Sequence, residues 1–391
     1  MALGILQIAG YVFPLITMPY LAHTLGVLYI GKIAFAGAVI AYFQTLVDYG
    51  FNYTATRDIA RYREDKEKIS ILFSSVMYCK FCLVLMSAVI LGCMTAIISI
   101  FHDNANIFWA TFILLPGYAM FPEWLFQGLE KMKYITILNL LSKLFFTIAV
   151  FIFIKDKSDY IWQPILIGLG YIAAGFLSWY IILKKMNIHF LAIRRCHLLQ
   201  TMKGSTDIFI NQLMPNLYNN FSVMLLGLCG TPNANGLYEA GNKLVSIADR
   251  MLNVISRAFF PFLSRRLDKH SLYAKYQLVL TICCSCALFI MAEPLIIFLF
   301  SKEFVSAIWV LRLLAVSLFF LSMTHIYGVN FLILQGKERQ LRNITFLVSF
   351  LGMLMAYPVI SFFDYLGAAI VVGGTRAILG CSIYLYSKKC K

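Results

Sequence analysis

The chain has 391 residues, of which 61% are hydrophobic and only 13% are charged. An average globular chain is about 45–50% apolar and about 25% charged, so this composition excludes an ordinary soluble domain. The net charge of +15 does not indicate nucleic-acid binding, because Lys and Arg lie in short connections between apolar runs. These apolar runs are about 20 residues long and recur along the whole chain, which predicts a polytopic membrane protein.

Twelve apolar segments follow one another, and each is predicted to be a transmembrane helix. The longest of them are expected to tilt or to project from the bilayer. The chain begins inside the first segment, so we expect a short basic tail ahead of it in a longer version. The predicted spans are 3–22, 29–60, 70–100, 106–129, 134–154, 160–183, 205–229, 236–260, 273–300, 305–335, 344–363 and 366–386.

Basic residues concentrate in alternate connections between these spans. Most of the 33 Lys and Arg residues follow spans 2, 4, 6, 8 and 10 or end the chain. The intervening connections hold only Lys155, Lys157 and Lys302. The positive-inside rule assigns the basic side to the cytoplasm, so both termini are predicted to be cytoplasmic.

A weak internal repeat relates the two halves of the chain. Residues 31–37 resemble residues 236–241, at a spacing of about 205 residues, and six spans per repeat give both halves one orientation. We therefore predict an all-α polytopic membrane fold of about twelve transmembrane helices in two six-helix lobes. A pseudo-two-fold axis along the membrane normal is expected to relate the lobes, with a central cavity between them. The predicted domains are the N-terminal lobe 1–183, the cytoplasmic basic linker 184–203 and the C-terminal lobe 204–391.

The eighth span carries a stripe of charged and polar side chains. At 100° per residue, six such residues lie within about 80° of each other on one helix face. Glu239 and Lys243 are spaced to form an ion pair, and Asp249 adjoins Arg250. We interpret the stripe as the wall of a hydrated cationic cavity, and pairing between helices is the alternative. The stripe consists of Glu239, Lys243, Ser246, Arg250, Asn253 and Arg257.

The second span has a small and polar face that includes Gln44, Asp48 and Asn52. A charge at the bilayer centre costs about 2.5–3.5 kcal/mol, so Asp48 is expected to be neutralised, paired or exposed to a watery cavity. Tight helix packing is the alternative reason for the small residues. Arg57 falls on another side of the same predicted helix, and Lys80 in the next span is expected to snorkel.

Other polar residues within spans give weaker predictions. Lys143, Arg312 and Arg376 are expected to add to a cationic interior, and His325 is expected to be a core histidine. The ten cysteines predict no disulfide framework. The sequence has neither a P-loop nor an HExxH motif, which favours a transporter over an enzyme.

Four sequence segments resemble the polysaccharide transporter family. They are PLITMPYLAHTLG at 14–26, VDYGFNYTATRDIA at 47–60, PEWLFQGLEK at 122–131 and YEAGNK at 238–243. Together they are similar to the Wzx-type O-antigen flippases of the multidrug/oligosaccharidyl-lipid/polysaccharide exporter superfamily.

The resemblance implies a flippase that moves undecaprenyl-pyrophosphate-linked O-antigen units across the bacterial inner membrane by alternating access. It implies no cofactor and no metal, with a transmembrane proton or sodium gradient as a candidate energy source. Lipid-linked oligosaccharide and membrane lipids are the implied partners, and O-antigen polymerase and chain-length regulator are further candidates; no nucleic acid is expected. The alternatives are a cation-coupled multidrug exporter of the same superfamily and a membrane scaffold in a glycan-assembly complex.

The residues expected to act in transport fall into three groups. The candidate substrate-binding cations are Lys243, Arg250, Arg257, Arg57, Lys143 and Arg376. The candidate ion-coupling carboxylates are Asp48, Glu239 and Asp249. The candidate polar cavity wall comprises Ser246, Asn253, Gln44 and Asn52.

Overall fold

The computed structural model describes the backbone of residues 2–389. Side chains are described at Phe13 and from residue 16 onward, except at 211, 215 and 261. The described residues are almost entirely helical and include no β-strand. The α-helices are α1 (Ala2–Asp48), α2 (Phe51–Arg61), α3 (Lys66–Ile97), α4 (Ser99–Asp103), α5 (Ala105–Phe112), α6 (Leu114–Met120), α7 (Glu123–Gly128), α8 (Met132–Phe153), α9 (Trp162–Tyr180), α10 (Arg195–Asn216), α11 (Asn219–Cys229), α12 (Ala234–Arg265), α13 (His270–Ile290), α14 (Ala292–Leu299), α15 (Ala307–Met323) and α16 (Glu338–Lys389). Two π-helical stretches, Ile181–Lys185 and Thr324–Ile333, follow α9 and α15 directly.

Within the described residues, eight helical segments are long and apolar enough to cross a membrane. This confirms the prediction of an all-α multi-pass membrane protein, whereas the number of twelve spans stays a prediction. The segments are Ile16–Arg61, Lys66–Ile97, Ala105–Gly128, Met132–Phe153, Lys157–Lys185, Leu267–Ile290, Ala307–Ile333 and Glu338–Lys389.

Two of the longest helices break where the sequence predicts a gap between spans. In α1 the backbone leaves the helical region at Gly26, where φ is 76° and ψ is 177°. In α16 it leaves at Asp364, where φ is 51° and ψ is −130°. Asp364 adopts this left-handed conformation while its carboxylate accepts hydrogen bonds from the backbone N–H of Thr231 at 3.1 Å and from its hydroxyl at 2.7 Å. A side chain that binds a neighbouring segment can hold a non-glycine residue in such a strained position.

The second predicted span, 29–60, is not one continuous helix, and this part of the prediction is wrong. Helix α1 ends at Asp48, and α2 begins at Phe51 after Tyr49 and Gly50, which have φ values of 44° and 78°. A Cβ at Gly50 would lie 2.8 Å from the Ile208 side chain, so both the turn and the close packing favour glycine. Positions beyond Asp48 therefore leave the face calculated for a continuous helix.

The described chain separates into two compact units. The first comprises residues up to Leu25 together with Ala36–Leu213, and the second comprises Gly26–Phe35 together with the residues from Met214 onward. The domain division at 184–203 stays a prediction. In the first unit, part of that linker packs on α3, because the backbone N–H groups of His189 and Leu191 donate to Ser70 and Ser74 at 3.1 and 2.8 Å. The end of the predicted linker is helical, since α10 begins at Arg195.

Polar contacts also order the short turns at one end of the first unit. The backbone N–H of Lys68 donates to the Asp65 carboxylate at 3.1 Å, which caps α3 and lowers the pKa of Asp65. Arg63 forms an ion pair with Glu130 in the turn before α8. The Arg63 hydrogen bond and charge lower the pKa of Glu130.

Glycines allow a close helix crossing in the second unit. A Cβ at Gly236, in the first turn of α12, would collide with the carbonyl oxygen of Val27. A Cβ at Gly31 would lie 2.9 Å from the backbone nitrogen of Gly236, and one at Gly227 would enter the Phe35 ring. Small residues let membrane helices approach at backbone distance, so this crossing depends on the absence of side chains.

We expect Gly236→Ala to destabilise the protein by about 1–3 kcal/mol, because the added methyl overpacks a backbone contact. Thermal unfolding of the purified full chain in detergent measures the effect. Gly374→Ala is the matched control, because a Cβ at Gly374 meets nothing within 4 Å. A helix-interior Gly→Ala change without a collision stabilises by about 0.5–1 kcal/mol, so the two variants should shift the melting temperature in opposite directions. Equal shifts would contradict the role of Gly236.

Candidate functional site

The charged stripe predicted on the eighth span lies on one uninterrupted helix. Helix α12 runs from Ala234 to Arg265, and none of the six stripe residues is buried within the described structure. Arg250 and Arg257 are exposed, and the others are half-buried. On the other side, Leu237, Leu244 and Val245 are buried. The helix therefore presents a polar face that no described residue fully covers.

Two carboxylates on α12 lie beside basic side chains. The Oε1 atom of Glu239 is 3.6 Å from Nζ of Lys243, which confirms the expected pairing along the helix. The Oδ1 atom of Asp249 is 3.2 Å from Nε2 of His325 in the second π-helical stretch. His325 is half-buried against this carboxylate, so the expectation of a core histidine is wrong.

Further polar contacts join the same π-helical stretch to α12. The Asn330 amide donates to the carbonyl and hydroxyl oxygens of Ser256 at 3.0 and 2.9 Å, and to the Tyr273 hydroxyl at 2.8 Å. All three residues are buried. Ser256 belongs to α12, Tyr273 to α13 and Asn330 to the π-helical stretch, so one amide joins three helical elements. Hydrogen bonds of this kind position α12 through a face that lies about 100° around the helix from its stripe.

Arg376 differs from the exposed arginines of the stripe. It lies in α16 with only 7% of its surface exposed. Its guanidinium donates to the Ser317 hydroxyl at 3.2 Å and to the Asn219 side-chain oxygen at 3.5 Å. Both partners are neutral, so the polar contacts of the Arg376 guanidinium inside the second unit are with uncharged hydrogen-bond acceptors. Arg312, another expected interior cation, stacks on the Trp309 and Phe289 rings.

The first unit contains a buried ion pair that the sequence did not reveal. Asp48 is 5% exposed, and its Oδ1 atom lies 3.6 Å from Nζ of Lys80, which is 1% exposed. Gln212 donates to the other Asp48 oxygen at 3.2 Å. Lys80 also lies over the Tyr118 ring, 5.4 Å from its centroid. The expectation that Lys80 snorkels is wrong, because its charge is held inside the unit by Asp48.

Polar neighbours extend this ion pair. The side-chain amide of Asn52 donates to the Tyr118 hydroxyl at 3.4 Å. Glu123 contributes to the electrostatic environment of Lys80, and its carboxylate accepts a hydrogen bond from Asn139 at 2.8 Å. Two predicted residues, Asp48 and Asn52, thus belong to one network centred on Lys80.

The remaining predicted residues of the first unit lie in other environments. Gln44 is half-buried on α1, and Lys143 is half-buried on α8. Arg57 is exposed on α2, and its Nε atom donates to the adjacent Asp58 at 2.9 Å. The predicted residues therefore form two groups, one on α12 and one around Asp48, whereas Gln44, Arg57, Lys143 and Arg376 lie outside both groups.

For this buried pair, we expect removal of one partner to destabilise the protein more than removal of both. Removing one partner of a buried ion pair costs about 3–5 kcal/mol, because the other charge stays buried without compensation. We expect Lys80→Met to lower unfolding stability by this amount, and the double variant Asp48→Asn with Lys80→Met to recover most of it. Thermal unfolding of the four proteins of this cycle in detergent gives the coupling between the residues. Additive single effects would show that the two side chains do not depend on each other.

Comparisons with known proteins agree with this architecture. Residues 1–267 match the family described as Polysaccharide biosynthesis protein. A relative from Escherichia coli (strain K12), named "Putative O-antigen transporter", is 26% identical over all of this chain and 96% of its own length. A relative of the same name from Shigella dysenteriae is 27% identical over 95% of this chain and 94% of its own.

Solved transporters share the fold at low sequence identity. The lipid II flippase MurJ, in an inward closed conformation, gives a TM-score of 0.79 at 14% identity, covering 99% of this chain and 86% of its own. An inward-facing multidrug resistance MATE family transporter of the MOP superfamily gives a TM-score of 0.76 at 13% identity. The match covers 96% of this chain and 93% of that transporter. The named relatives are transporters, which agrees with the prediction of a transporter rather than an enzyme. The chain belongs to the polysaccharide biosynthesis protein family and is a multi-pass membrane protein with the fold of MOP superfamily transporters.

Proposed function

We propose that this protein flips undecaprenyl-pyrophosphate-linked O-antigen units across the bacterial inner membrane by alternating access. The observation that carries the proposal is the incompletely buried stripe on α12, with Lys243, Arg250 and Arg257 on one face of a helix in an apolar chain. The relatives named O-antigen transporter and the fold shared with a lipid II flippase support the same substrate class. The distribution of Lys and Arg supports a cytoplasmic location for both termini, which is part of this proposal.

The chemistry of the stripe suits a pyrophosphate-linked substrate. Glu239 lies beside Lys243, so these two charges offset each other at one end of the stripe. Arg250 and Arg257 follow along the same face and are exposed. A guanidinium fork can bind phosphate oxygens through two parallel hydrogen bonds, which an ammonium group cannot do. We therefore assign pyrophosphate contact to Arg250 and guidance at the cytoplasmic mouth to Arg257, with Ser246 and Asn253 as polar contacts for sugars.

The energy for transport has two proposed sources. With a negative cell interior, outward movement of an anion is favoured by about 2.3 kcal/mol per charge per 100 mV. Ion coupling would add to this, and each of the candidate carboxylates Asp48, Glu239 and Asp249 lies beside a base. A carboxylate that exchanges its base for a proton or a sodium ion changes the charge of its surroundings, which is the property that a coupling site needs.

The central test replaces two cations of the stripe, Arg250 and Lys243. We expect Arg250→Ala, and separately Lys243→Ala, to abolish surface polysaccharide while the protein still reaches the membrane. Arg250→Lys should retain part of the function, because it keeps the charge and loses the fork. Gel analysis of the surface glycan, with membrane amounts of each variant, measures the outcome. Arg266→Ala is the matched control, because Arg266 lies just beyond α12 and outside the stripe. Normal polysaccharide from both alanine variants at native expression would refute the assignment.

A multidrug exporter of the same fold is the competing function. Its substrates are usually cationic, so its cavity should favour acids, whereas the α12 stripe has an excess of bases. We expect a strain lacking this protein to lose long-chain surface polysaccharide and to accumulate the lipid-linked precursor. Its susceptibility to cationic drugs should stay unchanged relative to the parent strain. Increased drug susceptibility with a normal glycan profile would favour the exporter instead.

A further inference from the structure

The first unit contains a second basic site, separate from α12, in a pocket between three helices. The pocket has a volume of about 280 Å³ and lies among the end of α2, the start of α3 and the start of α10. Helix α2 contributes Arg57 and Arg61, and α10 contributes His197, Thr201 and Gly204. At one side of the pocket, the hydroxyls of Thr54 and Ser205 are 2.7 Å apart, which joins α2 to α10. The pocket is therefore built by tertiary packing.

Gly204 leaves open space in this pocket that no neighbouring side chain fills. It lies within α10, and a Cβ added there would meet nothing within 4 Å. Its backbone shows no left-handed φ that would require glycine. Glycine in a helix interior costs about 0.5–1 kcal/mol relative to alanine, and neither conformation nor a neighbouring atom explains that cost here. Close approach of a ligand to the backbone is a reason for glycine that remains consistent with both observations.

The charges in the pocket favour an anion. Arg57 uses its Nε atom for Asp58, the one acid among the lining residues, and its terminal nitrogens have no partner among the described residues. Arg61, one turn further along α2, has no ion-pair partner in the described part of the chain. Two guanidinium groups one helical turn apart, with the side-chain amide of Gln200 among the lining residues of α10, match the oxygens of a phosphate group.

The remaining lining favours a lipid over a free ion. Ile71, Leu72 and Val76 of α3 form an apolar side of the same pocket. The basic residues of this region lie on the side of the membrane that the positive-inside rule assigns to the cytoplasm. Anionic lipid headgroups bind to basic clusters at that surface. A phosphate with the first carbons of a lipid attached would contact both the arginines and the apolar side.

We propose that this pocket binds the phosphate group of a lipid headgroup at the cytoplasmic membrane surface. Two lipids carry that chemistry there: an anionic phospholipid of the inner leaflet, and the pyrophosphate-linked substrate before it enters the transport path. The second source rests on the proposed function, whereas the first does not. Arg61, His197 and Gly204 are the residues that this site adds to those of the stripe.

Binding to the purified full-length protein in nanodiscs tests the proposal. Farnesyl pyrophosphate and inorganic pyrophosphate are the probes, titrated at fixed ionic strength in discs of zwitterionic lipid. We expect saturable binding that weakens about tenfold in Arg61→Ala, because charge-assisted hydrogen bonds are lost. Gly204→Leu, which fills the pocket and removes no charge, should weaken binding as much. Thermal unfolding verifies that each variant is folded.

Two matched variants control for general effects. Arg63→Ala removes a nearby arginine that pairs with Glu130 outside the pocket, and Gly374→Leu places the same side chain in another open helix position. Both should bind the probes like the wild type. Equal loss in these controls, or unchanged binding in Arg61→Ala and Gly204→Leu, would overturn the proposal.

A second series of discs distinguishes the two sources. If added anionic phospholipid displaces farnesyl pyrophosphate, the bilayer lipid is the occupant; if it does not, the substrate pyrophosphate is. Arg250→Ala should keep this binding, since Arg250 belongs to α12. Loss of polysaccharide in Arg250→Ala with intact probe binding would therefore separate failure of transport from failure of the pocket.

Discussion

A charged side chain inside a bilayer needs a counter-charge, a polar partner or water, and this requirement organises both compact units. In the first unit, Asp48 ends helix α1, where the helix dipole already adds negative character. The Lys80 ammonium group offsets the Asp48 charge and the negative end of the helix dipole. Because Lys80 belongs to α3, this contact holds α3 against the end of α1. In the second unit, the buried guanidinium of Arg376 has polar partners instead, because it donates hydrogen bonds to Ser317 and Asn219. In the α12 stripe, Arg250 and Arg257 instead stay exposed.

Glycine has three distinct roles in this protein. Gly236 permits two backbones to approach, and Gly50 supplies a left-handed turn next to Asp48. Gly204 meets neither condition, since it is helical and its Cβ position is open. The first two roles belong to the fold, because a side chain there would displace a helix. Gly204 differs from the equally open Gly374 in lining a pocket beside Arg57 and Arg61, which is why we relate it to a ligand.

The sequence predicts those features that depend on one helix. The α12 stripe and the Glu239–Lys243 pair follow from helical periodicity, and the breaks near Gly26 and Asp364 follow from gaps between apolar runs. The partner of Asp48 could not be predicted in this way, because Lys80 lies on another helix and periodicity gives a face without its neighbour. One signal was available: an acid and a base, each deep in an apolar span, are both costly alone. The π-helical stretch that places His325 beside Asp249 has no comparable signal.

The π-helical stretch Thr324–Ile333 should restrict insertions and deletions during evolution more than it restricts substitutions. Its hydrogen bonds span one residue more than those of an α-helix. Loss of a single residue would restore the α-helical register and rotate one end relative to the other by about 100°. His325 near one end and Asn330 near the other could then not both keep their contacts with α12. Apolar substitutions between them leave this spacing intact, so the stretch should tolerate exchange of residues far better than single-residue insertions or deletions.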